Sequence, residues 1–135
     1  LMGIGQGPVA WTPPQAAKAR SHGEGDNELG FTGAGSGIAV IDTGVDYTTA
    51  DRGGGGFPNA KVIGGLDLAD NDNDPADCDG HGTETSAIAA GPSGVAPSAK
   101  IVAIKFFSSK CTSELAYDSD LLVCITSAIP TQSTF

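Results

Sequence analysis

The chain has 135 residues, with 16 acidic side chains against 7 basic ones and a formal net charge of -9. That balance argues against nucleic acid and anionic membrane surfaces as partners, since both are met by clustered Lys and Arg, and no apolar run approaches the ~18 residues of a transmembrane helix. With 20 Gly and 8 Pro, the composition suits a sheet fold with many tight turns and lies below the disordered range.

Residues 1–36 are rich in Gly, Pro and polar side chains and read as a packing arm, with Trp11 as an anchor and Ser21 to Asn27 as a solvated loop carrying His22. Leu1-Met2-Gly3 opens no charged-then-apolar signal peptide, so a secreted protein would have had its leader removed or left out of this sequence. Ile38 to Ile41 is a continuous apolar run flanked by glycines, which predicts a strand over 37–42 buried on both faces of a parallel sheet. Asp42 closes that strand at the end where open α/β sheets place ligands and reacting groups, and Gly44 lets the chain turn beyond it. A second strand is expected over 61–67.

Between Asp67 and Asp79 stand aspartates at 67, 70, 72, 74, 77 and 79, with Asn71 and Asn73 among them. Such oxygens are Ca²⁺ ligands in kind, but no glycine occupies the EF-hand turn position, and the run reads as a solvated acidic loop in preference to a Ca²⁺ site. Asp79-Gly80-His81-Gly82-Thr83 then opens a small-residue helix over 81–90 that ends at Gly91 and has His81 at its start. A strand over 100–107 and a helix over 118–129 follow. Asp118, Ser119 and Asp120 suit the dipole at the start of that helix, Pro130 stops it, and Cys124, among Leu121, Leu122 and Ile125, reads as a small buried hydrophobe. Strand and helix alternate, which implies a parallel sheet with right-handed crossovers. No internal repeat is present.

Taken alone, Asp42 also fits a ribose or metal ligand at a strand end, and His81 a capping or core histidine with Asp79 as a local partner or N-cap. Together and in this order, Gly37-Ile38-Ala39-Val40-Ile41-Asp42-Thr43-Gly44-Val45-Asp46 and Asp79-Gly80-His81-Gly82-Thr83 are more specific. The chain resembles the N-terminal half of a subtilisin-like serine protease catalytic domain over roughly residues 30 to 129. Gly94-Val95-Ala96-Pro97-Ser98-Ala99-Lys100 and the strand after it extend the match.

The resemblance implies an α/β fold, a three-layer parallel sheet with helices on both faces, incomplete here, with 37–135 as its N-terminal part. It makes Asp42 and His81 the acid and base of an Asp-His-Ser triad, in the chain order known for that family. The serine and an oxyanion Asn are expected beyond residue 135: no Gly-Thr-Ser occurs here, and Ser127 and Ser133 lack a preceding glycine. The missing C-terminal part is then a partner, the substrate is a protein or peptide, and no cofactor is required. Asp51 matches a calcium ligand of some subtilisins, but the insertion that completes that site is absent between Ala90 and Gly94, so a structural calcium is left unassigned and no metal residue is named.

Aqualysin-like members of the family carry a disulfide at the positions of Cys78 and Cys111, two of the three cysteines here. By that likeness the pair is bonded, contributes about 3 to 4 kcal/mol in the loop-entropy model, and places the protein in an oxidising, extracellular setting. The family also makes the stretch at Ser113-Glu114-Leu115-Ala116 an exposed edge to which an extended substrate adds as a strand. Departures are Glu84 in place of a second His, Thr85 and Ser86 in place of apolar or small residues, Thr49-Ala50-Asp51 in place of His-Pro-Asp, and a tail, Thr131 to Phe135, unlike the family's next strand. Two other classes stay open: an aspartic protease, whose signature Asp42-Thr43-Gly44 also is and which pairs two aspartates, and a non-catalytic relative with no serine downstream.

Overall fold

The computed structural model describes residues 23–107 together with Leu122, Val123, Ile125 and Thr126. Its elements run α1 (Gly23–Glu28), β1 (Gly37–Asp42), a 3-10 turn (Ala50–Arg52), β2 (Val62–Asp67), α2 (His81–Ala90) and β3 (Lys100–Lys105). The three strands form one parallel sheet in the order β1-β3-β2. Ile101, Ala103 and Ile104 of the central strand are fully buried, as befits a strand with a neighbour on each side in a parallel sheet. In β2 the register slips between Val62 and Gly64, leaving Ile63 as the extra residue of a bulge. Gly65 passes so close to β3 that a Cβ there would collide with the Ala103 carbonyl.

Helix α2 lies against β1 and β3. Its buried face is Gly82, Ser86 and Ala90, spaced four apart as one side of a helix requires, and small enough to let the helix sit close. Val40, Val45, Val62, Ala90, Ala99, Ile101 and Ala103 make the core, with Ile38, Tyr47, Phe57, Ala89 and Ala96 packed around it. The segment before β1 is tied down by main-chain bonds, Ser98 N–H to Thr32 O at 2.9 Å and Lys100 N–H to Ser36 O at 2.8 Å.

The spans 37–42 and 81–90 are as the sequence predicts, and β2 starts one residue later than expected. β3 stops at Lys105 and not at 107: Phe106 N–H makes the last ladder bond, to the Asp42 carbonyl at 2.8 Å, and Phe107 N–H reaches back to the same carbonyl at 3.3 Å and does not continue the strand. The expected loop at 21–27 contains helix α1 instead, whose end is closed by Leu29 N–H to Gly25 O and Phe31 N–H to Asp26 O. β1 is not buried on both faces along its length: Val40 packs into the core with Ala90 of α2, whereas Ala39, which points to the opposite face, is exposed. In the 118–129 region, Leu122, Val123, Ile125 and Thr126 are helical and the Thr126 hydroxyl donates to Leu122 O at 2.9 Å. Trp11, His22, Cys111, Ser113, Glu114, Leu115, Ala116, Cys124, Ser127 and residues 131–135 lie outside the described residues.

Ile101 is fully buried in the central strand and belongs to the core. Truncating it to Ala is expected to cost about 2–5 kcal/mol, read as a lowered midpoint in urea unfolding. The exposed Val123, changed to Ala, should move that midpoint by no more than about 0.5 kcal/mol.

Candidate active site

Two chain segments meet at the C-terminal end of the sheet. β1 ends on Asp42, and the Gly44 turn, with φ at 111°, carries the chain away so that Val45 N–H reaches Pro75 O at 2.9 Å. α2 begins at His81 directly opposite. The approach is close because residue 82 has no side chain: a Cβ on Gly82 would collide with the Gly44 carbonyl and stand 3.1 Å from Asp42 Cβ.

The His81 ring nitrogen Nδ1 lies 2.8 Å from Asp42 Oδ1 and 2.9 Å from Oδ2. Asp42 is nearly buried while the His81 side chain is 71% exposed, so the pair has a fixed inner member and an outer member facing solvent. Asp42 Oδ1 also accepts the N–H of Thr43 at 2.7 Å. The hydrogen bond to Asp42, and then that carboxylate's charge, raise the imidazole above its ordinary value of 6.5, against a smaller opposing effect of desolvation, with Asp79 and Glu84 adding to the rise. Asp79 does not touch the ring through its carboxylate in place of Asp42; it accepts the His81 backbone N–H at 3.2 Å. A cleft of about 370 Å³ is lined by Asp42, Thr43, Asp79, His81 and Phe107.

The acidic run holds a set of separate contacts. Asp67, almost fully buried, and Asp70 both bind the Lys105 ammonium at 2.8 Å. Burial lowers the pKa of that lysine, and its hydrogen bonds to Asp67 and Asp70 outweigh the effect and raise it. Asp72 accepts Asp74 N–H at 2.8 Å, and Asp74 accepts the Tyr47 hydroxyl at 2.7 Å, a bond that pushes the phenol up to about 12. Asp51 is paired with Arg52 at 2.7 Å. Among the described residues no group of three or more His, Cys, Asp or Glu is arranged to hold a metal ion.

Sequence reasoning passed over Asp77, Thr43 and Thr83. Asp77 accepts the Thr43 hydroxyl at 3.0 Å, the N–H groups of Asp79 and Gly80 at 3.0 Å each, and both the N–H, at 2.9 Å, and the hydroxyl of Thr83. It looked like one aspartate of six; its position four residues before His81, in a helix start whose cap position is a glycine, was the available signal. Arg52 was also missed. It is buried, and it donates to Ser86 Oγ at 3.1 Å and to Thr83 O at 2.6 Å, so a charged side chain, held at Asp51, props the start of α2. Of the residues singled out from the sequence, Asp42 and His81 are brought together, Cys78 lies exposed three residues before His81 and is not without a partner, and Cys111 and 113–116 are not described.

The parallel α/β architecture departs from the all-β fold of aspartic proteases, and Asp42 meets a histidine and not a second aspartate. The profile of the Subtilase family (Peptidase S8) matches residues 33–131. Among curated proteins, the Thermophilic serine proteinase of Bacillus sp. (strain AK1) is 40% identical over 97 residues, 67% of this chain and 23% of that protein. Thermitase of Thermoactinomyces vulgaris is 41% identical over 80 residues, 54% of this chain and 26% of that protein. The chain thus spans about a quarter of the length of these relatives. Among solved structures, a cold adapted subtilisin-like serine proteinase superposes with a TM-score of 0.62 at 32% identity, covering 76% of this chain and 35% of that one.

Because Asp42 raises the imidazole, His81 in the 135-residue chain should titrate by NMR with a midpoint above 6.5, and Asp42→Asn should bring it down. The sign for stability follows: a raised folded value means that the contact contributes fully below the ordinary histidine value and fades as pH rises through the folded one.

Proposed function

The chain belongs to the subtilase family, and on that premise we propose that it carries the acid and the base of an Asp-His-Ser triad in a serine endopeptidase, with the serine and an oxyanion Asn supplied by sequence outside this chain. One observation carries the reading: Asp42 grips Nδ1 of an otherwise exposed His81 at the mouth of a cleft. With Nδ1 committed to the carboxylate, Nε2 is the nitrogen left to accept a proton from a serine hydroxyl and return it to the leaving amine. Asp42 holds the tautomer and stabilises the imidazolium that forms. The serine oxygen attacks the peptide carbonyl, the amine departs with the proton from His81, and water, deprotonated by the same histidine, hydrolyses the acyl-enzyme. A raised imidazole pKa fits such a base: activity depends on its neutral form, falls as pH drops through that value, and is full above it.

The rest of the reading follows the family. The substrate is an extended protein or peptide that adds as a strand beside Ser113-Glu114-Leu115-Ala116, residues 1–36 are a packing arm on the catalytic domain 37–135, no cofactor takes part in the chemistry, and calcium stays unassigned. Cys78 and Cys111 form a disulfide and the protein works outside the cell. What supports the pairing is that Cys78, beside the site, is not a free thiol. The second reading, a non-catalytic relative, differs only in lacking a serine downstream.

The deciding experiment is His81→Ala in the protein that includes the downstream serine. A loss of about 1,000-fold or more in kcat with little change in KM is expected, while the 135-residue chain alone should show no phosphonate-sensitive cleavage. A loss of tenfold or less would make His81 structural. Non-reducing peptide mapping should recover Cys78 and Cys111 in one linked peptide with Cys124 unpaired; recovery of Cys78 with any other cysteine would refute the pairing.

A further inference from the structure

Asp77 is the junction between the two segments that bring acid and base together. Its Oδ1 accepts the Thr43 hydroxyl and the N–H groups of Asp79 and Gly80, and its Oδ2 accepts the N–H and hydroxyl of Thr83. Five donors thus converge on one carboxylate, which only an acceptor-only group can satisfy. The two hydroxyls, each spending its proton on Asp77, have lone pairs left for main-chain donors. Thr43 Oγ1 accepts Gly82 N–H and Thr83 Oγ1 accepts Asp46 N–H, both at 2.9 Å. Thr43 follows Asp42 and Gly82 follows His81, so the Thr43–Gly82 bond joins the immediate neighbours of the pair. Gly80, in the cap position of α2 with φ at 107°, has no side chain to do this work, and Asp77 supplies the missing acceptor from three residues upstream.

From this geometry we propose that Asp77 is a positioning residue for the reaction, whose carboxylate locks the Asp42 turn to the first turn of α2 and so sets the Asp42–His81 contact. The inference rests on the reading of those two residues as acid and base. Burial works against the charge on Asp77, but the Thr83 hydroxyl and the N–H groups of Gly80, Thr83 and Asp79 more than offset it and hold the carboxyl below its ordinary range, so the junction stays ionised wherever a histidine base is neutral. An amide cannot substitute. Whichever way Asn is turned, its NH₂ faces either the N–H groups of Asp79 and Gly80 or the N–H of Thr83, donor against donor.

The test is Asp77→Asn in the full chain, read by NMR of the His81 ring. The expected result is a lost or broadened low-field Nδ1 proton and a His81 midpoint shifted down toward 6.5, by more than Glu84→Gln shifts it by removing a nearby charge outside the junction. In the protein with its serine, kcat should fall on the order of 100-fold, as for a misplaced catalytic group, with KM changed less than about twofold. A folded Asp77→Asn chain with the wild-type ring signals, and melting earlier only, would overturn the proposal. Should Asp77→Asn not fold, Thr43→Val, which cuts only the Thr43 arm, decides: a smaller shift of His81 in the same direction supports the proposal and an unchanged titration overturns it. If instead His81→Ala leaves activity intact, the acid–base reading itself fails, whatever Asp77 does to the ring.

Discussion

A helix can deliver a side chain to the end of a strand only if its own backbone can come near enough, and here that limit is set at Gly82. Its Cα sits against the Gly44 carbonyl with no space for a methyl group. Any larger residue would push the first turn of α2 outward, and His81, one residue earlier, would move with it. The buried stripe Gly82, Ser86 and Ala90 continues the same closeness along the helix. The site is therefore built on main-chain proximity first, with side-chain hydrogen bonds fixing what the proximity allows.

Charge is handled differently at each strand end. β1, β3 and β2 end on Asp42, Lys105 and Asp67, which stand in register across the sheet. Asp67 and Lys105 neutralise one another in the interior with Asp70 at the rim, an arrangement whose Coulomb gain has to offset the desolvation of both ions. Among the described residues Asp42 has no Lys or Arg partner, and it takes its counterpart from His81. The result is one strand end with an ion pair between Lys and Asp and another whose partner is an imidazole held above its ordinary value by the carboxylate.

Asp42, His81 and the strand and helix that bear them were legible because glycines bracket an apolar run and a His-Gly-Thr segment opens a small-residue helix. Those signals are local, and they placed 37–42 and 81–90 at their observed limits. What the sequence hid was non-local. Asp77 read as one of six aspartates; its place before a glycine-capped helix start was a faint signal, and most of what distinguishes it is the set of donors that folding gathers around it. Arg52 gave no hint of burial, because its partners Ser86 and Thr83 come from a helix over thirty residues on. The end of β3 was misplaced for a similar reason: Phe106 and Phe107 have strand-like side chains, but β1 ends at Asp42, whose carbonyl takes the last ladder bond from Phe106 and a second bond from Phe107.

The close seat of α2 also sets how this helix can drift in sequence. Glu84 and Thr85 are exposed, and a change there meets no packed neighbour, though Glu84 carries a charge that helps to raise the His81 imidazole. Ser86 is buried; its hydroxyl donates to Thr83 O at 2.8 Å and accepts from Arg52, so its polarity is satisfied partly by a cation from another part of the chain. Substitutions on the outer face can accumulate one at a time, whereas those on the inner face have to remain small or arrive with a compensating partner. The helix thus has a permissive face and a restrictive one, alternating with the 3.6-residue turn.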